Sequence, residues 1–192
     1  MGSAATAVAV WLMLATFAQA ATDKAWDDCG SNVPDRMITG CTMVLEGGIE
    51  ESAGNRAIAL YNRGLAYLDK DEYDRAIADL SEAIRLKRDY IEAFNNRGIA
   101  YIRKGEYDRA IADLNEAIRL KPDHAKAFLN RGGAYFGKDD YDRAIADLNE
   151  AIRLRPDYAK AFLSRSEIFF AKGDIDHWQD DRAKATELGS AH

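Results

Sequence analysis

Small and apolar side chains recur along residues 57–192 on two alternating stripes of helical spacing. From about Ala57 to Lys70, Leu60, Gly64 and Tyr67 stand at i, i+4 and i+7, one face of a helix. From about Tyr73 to Leu86, a second stripe holds Tyr73, Ala76, Ile77, Leu80, Ala83 and Ile84. The polar pair Asp71-Glu72 separates the two, and Gly105-Glu106 and Asp139-Asp140 do the same further on. Pro122 and Pro156 stand where later stripes end, because a helix interior rejects proline. The pattern predicts antiparallel helix pairs and an all-α fold. Small Gly64 and Ala76 let the two helices of a pair approach, and Tyr67 and Leu80 fill the next layer.

These stripes repeat without a gap at a period of 34 residues. Asn62-Arg63-Gly64 returns as Asn96-Arg97-Gly98 and Asn130-Arg131-Gly132, then drifts to Ser164-Arg165-Ser166. The segment Tyr73 to Leu80 returns unchanged from Tyr107 and from Tyr141. A unit of this size cannot bury its apolar side alone, so neighbours must cover one another in series.

The motif resembles the tetratricopeptide repeat. The residues that carry the likeness are Phe94, Gly98, Tyr101, Ala110, Leu114, Ala117 and Pro122, and again Phe128, Gly132, Tyr135, Ala144, Leu148, Ala151 and Pro156. The resemblance implies a right-handed α-α superhelix, a solenoid of stacked antiparallel helix pairs, with the first helix of each pair lining a concave groove. It divides the chain into repeats at residues 57–90, 91–124, 125–158 and a degenerate 159–192. In the last, Trp178 and Arg182 replace the usual alanine and leucine, and the helix from Asp176 to Leu188 is expected to cap the stack over Phe162 and Phe169.

One departure from the family pattern is regular. Arginine stands before the glycine position in every copy, at Arg63, Arg97, Arg131 and Arg165, and Asp79, Asp113, Asp147 and Asp181 follow sixteen residues later. Each couple is either an ion pair between the helices of one hairpin or two solvated charges. If buried, each charge needs its partner.

Ahead of the repeats, residues 21–56 read as a capping half-repeat. Its helix opens at Pro34 and places Met37, Ile38, Cys41, Val44 and Leu45 on one side. Cys29 and Cys41 are the only cysteines, too far apart for a redox Cys-x-x-Cys and too few for a metal site. They form either a disulfide or two buried thiols. Residues 1–20 read as a leader: an uncharged run from Ala4 to Phe17, then Ala18-Gln19-Ala20 as a small-x-small cleavage site. The n-region has no Lys or Arg, which leaves an uncleaved anchor as the alternative. Cleavage implies export, with a bacterial periplasm expected, an oxidising compartment that favours the disulfide, and no membrane attachment afterwards.

Composition changes the picture mainly by exclusion. A net charge of −6 and a pI near 5.1 argue against nucleic-acid binding, which needs a basic footprint. His124, His177 and His192 are dispersed, and neither a phosphate loop nor an activated nucleophile is visible. No enzyme activity and no cofactor are expected. The expected partner is another protein, taken as a peptide or helix in the concave groove. The alternative is an assembly subunit that uses its convex face or its ends.

For groove binding, the resemblance singles out the asparagine column Asn62, Asn96 and Asn130, whose amides offer donor and acceptor together. Lys126 and Lys160 share that side, with Tyr61, Leu65, Ile99, Ile102, Leu129, Phe136, Leu163 and Phe170 beside them as apolar contacts or as packing between repeats. Asn96 and Lys126 match two positions of the carboxylate clamp that grips chaperone tails. Tyr61, Leu65 and Asn130 occupy the other three, so that clamp is not expected.

Overall fold

The computed structural model describes residues 20–47 and 51–189. The expected leader lies outside them apart from Ala20, and so do Gly48 and His192. Among the described residues every regular element is a helix: residues 20–29 (α1), then α2 (Pro34–Glu46), α3 (Ala53–Asp69), α4 (Tyr73–Leu86), α5 (Ile91–Arg103), α6 (Tyr107–Leu120), α7 (Ala125–Phe136), α8 (Tyr141–Leu154), α9 (Ala159–Ala171) and α10 (Ile175–Gly189). They pack as sequential antiparallel pairs. The chain divides into two compact units, one through Arg88 and one from Asp89.

The turn inside each hairpin is set by one left-handed residue. Asp71, Gly105, Asp139 and Gly173 share a register and have φ of 58°, 75°, 59° and 77°. Glycine adopts this region without strain, and aspartate tolerates it better than most residues. After each second helix the chain extends, at Lys87, Lys121 and Arg155. Pro122 and Pro156 enforce that extension on the residue before them. Helix α3 begins four residues earlier than its stripe indicates, because Ser52 caps it: its Oγ accepts a 3.1 Å bond from the Asn55 N–H.

Within each hairpin the core is a leucine under a glycine. A Cβ on Gly98 would lie 2.9 Å from Cγ of the fully buried Leu114. In the last hairpin Ser166 replaces the glycine and Arg182 replaces the leucine. Arg182 is exposed with its guanidinium 5.3 Å from the Trp178 ring, and Ser166 is buried, its hydroxyl donating to the Leu163 carbonyl at 2.7 Å. The two substitutions compensate.

Residues 21–56, expected as a half-repeat, carry a full helix pair. Shifted by 39 residues, Ala25, Cys41, Thr42 and Val44 stand where Gly64, Leu80, Ser81 and Ala83 stand in the first repeat. Most of the surplus length goes into the early start of α3 at Ala53. In this register Lys24 and Gly40 take the places of Arg63 and Asp79, so no ion pair is available there. Lys24 bonds Asp28 on its own helix instead. Cys29 and Cys41, both fully buried, form a disulfide between α1 and α2. Gly40 permits the approach, since a Cβ there would fall 2.6 Å from the Ala25 carbonyl oxygen.

Three outcomes follow from this packing. Replacing both Cys29 and Cys41 with serine should lower stability by about 3 kcal/mol, with lost amide protection concentrated in residues 20–29 in hydrogen exchange. Gly98→Ala should destabilise by about 1–3 kcal/mol through overpacking on Leu114. Gly133→Ala, whose Cβ meets nothing within 4 Å, should instead stabilise by about 0.5–1 kcal/mol in urea unfolding.

Candidate partner-binding face

The orientation of each first helix is fixed by its arginine. Arg131 donates from Nε and Nη2 to the two carboxylate oxygens of Asp147, at 2.8 and 2.7 Å. Its third nitrogen, Nη1, donates to Asn115 on α6 of the preceding hairpin, at 2.6 Å. Arg165 does the same with Asp181 and Asn149. In the first unit Arg63 grips Asp79 and reaches Thr42 of α2 at 3.0 Å. Arg97 holds Asp113 in the same fork. All four aspartates are buried. The hydrogen bonds they donate to Asp79 and Asp147 hold the Arg63 and Arg131 guanidinium groups above the usual arginine range, against the opposing effect of burial.

In the second unit α5 contacts α7 and α7 contacts α9, whereas among the described residues α6, α8 and α10 do not approach one another. The first helices therefore form the tighter, inner surface of that unit. Gly133 marks the direction in which α7 faces open space, since a Cβ there meets nothing within 4 Å. Lys126, Asn130 and Phe136 lie three or seven residues from it, on the same side of the helix, while Leu129, four residues away, turns into the contact with α9. On α9 the corresponding stripe is Lys160, Leu163, Ser164, Glu167 and Phe170. Leu163 is 46% exposed and Phe170 60%, among the most exposed large apolar side chains described.

The sequence candidates fall into distinct situations. Lys126 and Lys160 are exposed, and neither forms an ion pair among the described residues. By contrast Lys70, Lys138 and Lys172 reach Asp35, Asp108 and Asp142. Ile99 and Phe136 are half-buried on α5 and α7. Leu129 is only 5% exposed and packs with Ala161 and Ile168 of α9, so it belongs to the core between hairpins. Tyr61 and Asn62 are half-buried on α3 of the first unit.

The asparagines already serve the scaffold. Asn62 Nδ2 donates to the Cys29 carbonyl at 3.2 Å, and Asn130 Nδ2 donates to Oδ1 of Asn95 at 2.9 Å. Asn96 accepts from Asn95 Nδ2 at 3.3 Å. Asn95 is buried and was not singled out by the sequence pattern. The doublet Asn95-Asn96, found in one copy only, was its signal. Among the described residues no three His, Cys, Asp or Glu side chains stand together as a metal site. No helix there is long and apolar enough to cross a membrane.

A family model described as tetratricopeptide repeat matches residues 95–159 and 134–176, and a second, described as TPR repeat, matches residues 64–105. Together they span more than half of the chain. The chain belongs to the tetratricopeptide repeat family. That family is typically non-catalytic, and this member is a repeat scaffold of the kind that binds proteins. Its structure is similar to a crystal structure of MamA, 26% identical, with a TM-score of 0.70 over 82% of this chain and 90% of that one. A MamA structure from Desulfovibrio magneticus RS-1 superposes at a TM-score of 0.76 over 91% of this chain and 96% of that one; at 18% identity it shows the fold alone. The first TPR of Spaghetti (RPAP3), bound to the HSP90 peptide SRMEEVD, is 26% identical and covers 66% of this chain and 99% of its own, with a TM-score of 0.60. No curated protein matches this tetratricopeptide repeat chain in sequence.

The arginine fork yields a direct test. Asp147→Ala leaves the half-buried Arg131 guanidinium without its counterion and should cost about 3 kcal/mol in urea unfolding. The joint change Arg131→Met with Asp147→Leu should cost clearly less than Asp147→Ala alone.

Proposed function

We propose that this chain is an exported, non-catalytic scaffold that docks a peptide or helical segment of another protein along the inner face of its second unit. The observation that carries the reading is the stripe around Gly133: open space, two unpaired lysines, and the exposed Leu163 and Phe170 on one side of adjacent helices. Surfaces that combine exposed apolar anchors with a few charges are favoured for protein recognition. The Spaghetti (RPAP3) relative supports it, since its repeat domain holds a short peptide. The asparagine column contributes in a second role, positioning the inner helices through Asn62 and Asn130 and lending amide oxygen to a bound backbone. Export is supported by the uncharged apolar run before Ala20 and by the buried cysteine pair.

Site-directed photocrosslinking tests the site. A benzophenone side chain at Phe136 or Phe170 should give a defined adduct in the native compartment, and one at Arg85 or Arg119, on the second helices, should not. The reverse pattern would favour a scaffold that works through its convex face. The mass of the mature chain checks the leader: removal of residues 1–20 is expected, together with a loss of two hydrogens for the disulfide.

A further inference from the structure

The inner face of the second unit has a chemistry specific enough to name its occupant. Resting on the proposed function, we infer that it seats an amphipathic helix of another protein, apolar toward α9 and carrying carboxylates at the end that meets Lys126 and Lys160.

Three features point there. Leu163 and Phe170 lie seven residues apart on α9, about 10.5 Å along the axis. A partner helix lying along α9 repeats that spacing with its own side chains at i and i+7. An extended strand does not, because its same-face side chains recur at about 6.8 Å and 13.6 Å. Next, Gly133 removes a side chain where α5 and α9 carry Ile99 and Glu167 at the same register. The missing side chain leaves room for one large apolar group of the partner beside Phe136. Finally, Lys126 and Lys160 are both second residues of their helices, exposed and without ion pairs among the described residues. Most other described lysines are already neutralised by a neighbour. Their charges are left to a ligand, and the exposed Glu167 midway along α9 confines the partner's acidic groups to the lysine end.

The end of the second unit argues against a further helix pair as the occupant. A next hairpin would cover α10 as well as α9. Gln179, Arg182 and Thr186 stand on α10 where α8 has Ile145, Leu148 and Ile152, and all three are exposed. On α10 the one large apolar side chain described as exposed is Ile175, whereas α9 exposes both Leu163 and Phe170 seven residues apart, which fits a single helix.

Synthetic peptides test this on the full mature chain. One peptide of about 20 residues, long enough to hold helical structure, carries Leu and Phe at i and i+7 and a terminal Glu cluster. A second has Lys in place of Glu, and a third has a central proline. By fluorescence anisotropy the acidic peptide should bind at least about tenfold more tightly than the basic or proline-broken ones. Lys126→Glu with Lys160→Glu should invert the charge preference. Gly133→Trp, which meets no neighbour near its Cβ, should weaken the acidic peptide at least about tenfold while melting temperature and helicity hold. Equal affinity for acidic and basic peptides, or an acidic peptide indifferent to Gly133→Trp, overturns the inference. If photoadducts still form at Phe136 in that case, the inference alone fails; if those adducts are absent too, the proposed function fails with it.

Discussion

A carboxylate can be buried at a helix–helix contact only if a cation is held against it, and in each repeat one arginine meets that requirement. Two of its nitrogens satisfy both oxygens of an aspartate on the second helix of its own hairpin. In Arg63, Arg131 and Arg165 the third satisfies a hydroxyl or amide on the hairpin before. One planar fork thereby sets the geometry within a hairpin and between neighbouring hairpins of the same unit. Apolar contact alone could tolerate rotation of the inner helix; a bidentate ion pair with a third directed bond does not. The face presented by α7 and α9 follows from that fixed rotation.

The N-terminal hairpin solves the same problem by other means. Lacking both partners of the ion pair, it crosses α1 to α2 with a disulfide and lets the helices close by placing Gly40 at the contact. It still supplies Thr42 as the acceptor for Arg63, so the first repeat is tied to it as later repeats are tied to theirs. Asn62, bonded to the Cys29 carbonyl, adds a second tie at the end of α1. The covalent link holds α1 against α2 where the arginine–aspartate pair is missing.

The second unit closes at its far end by changing the outer helix rather than the inner one. Polar residues replace the apolar stripe of α10, while α9 keeps Leu163 and Phe170. The contrast leaves Leu163 and Phe170 exposed on α9, beside an α10 that presents Gln179, Arg182 and Thr186 at the matching register. Asn95, Asn130 and Leu129 show the converse, residues of recognisable type drawn into the scaffold.

The sequence by itself determined the helix pairs and their period, because these are short-range patterns repeated in near-identical copies; it marked the arginine–aspartate couples without deciding between an ion pair and two solvated charges. It also marked Cys29 and Cys41. Only the tertiary structure decided which side of each first helix meets its neighbour. Gly132 and Gly133 are adjacent and chemically identical, yet one lies over Leu148 and the other faces open space. Likewise Leu129 and Leu163 share a register, yet the first is buried against α9 and the second is exposed. The register of α1 against α2 was hidden because extra residues before the first repeat, most of them in the early start of α3, break the period. Periodicity reports what a helix needs to bury; what remains uncovered depends on which neighbours are present, and that is settled by packing.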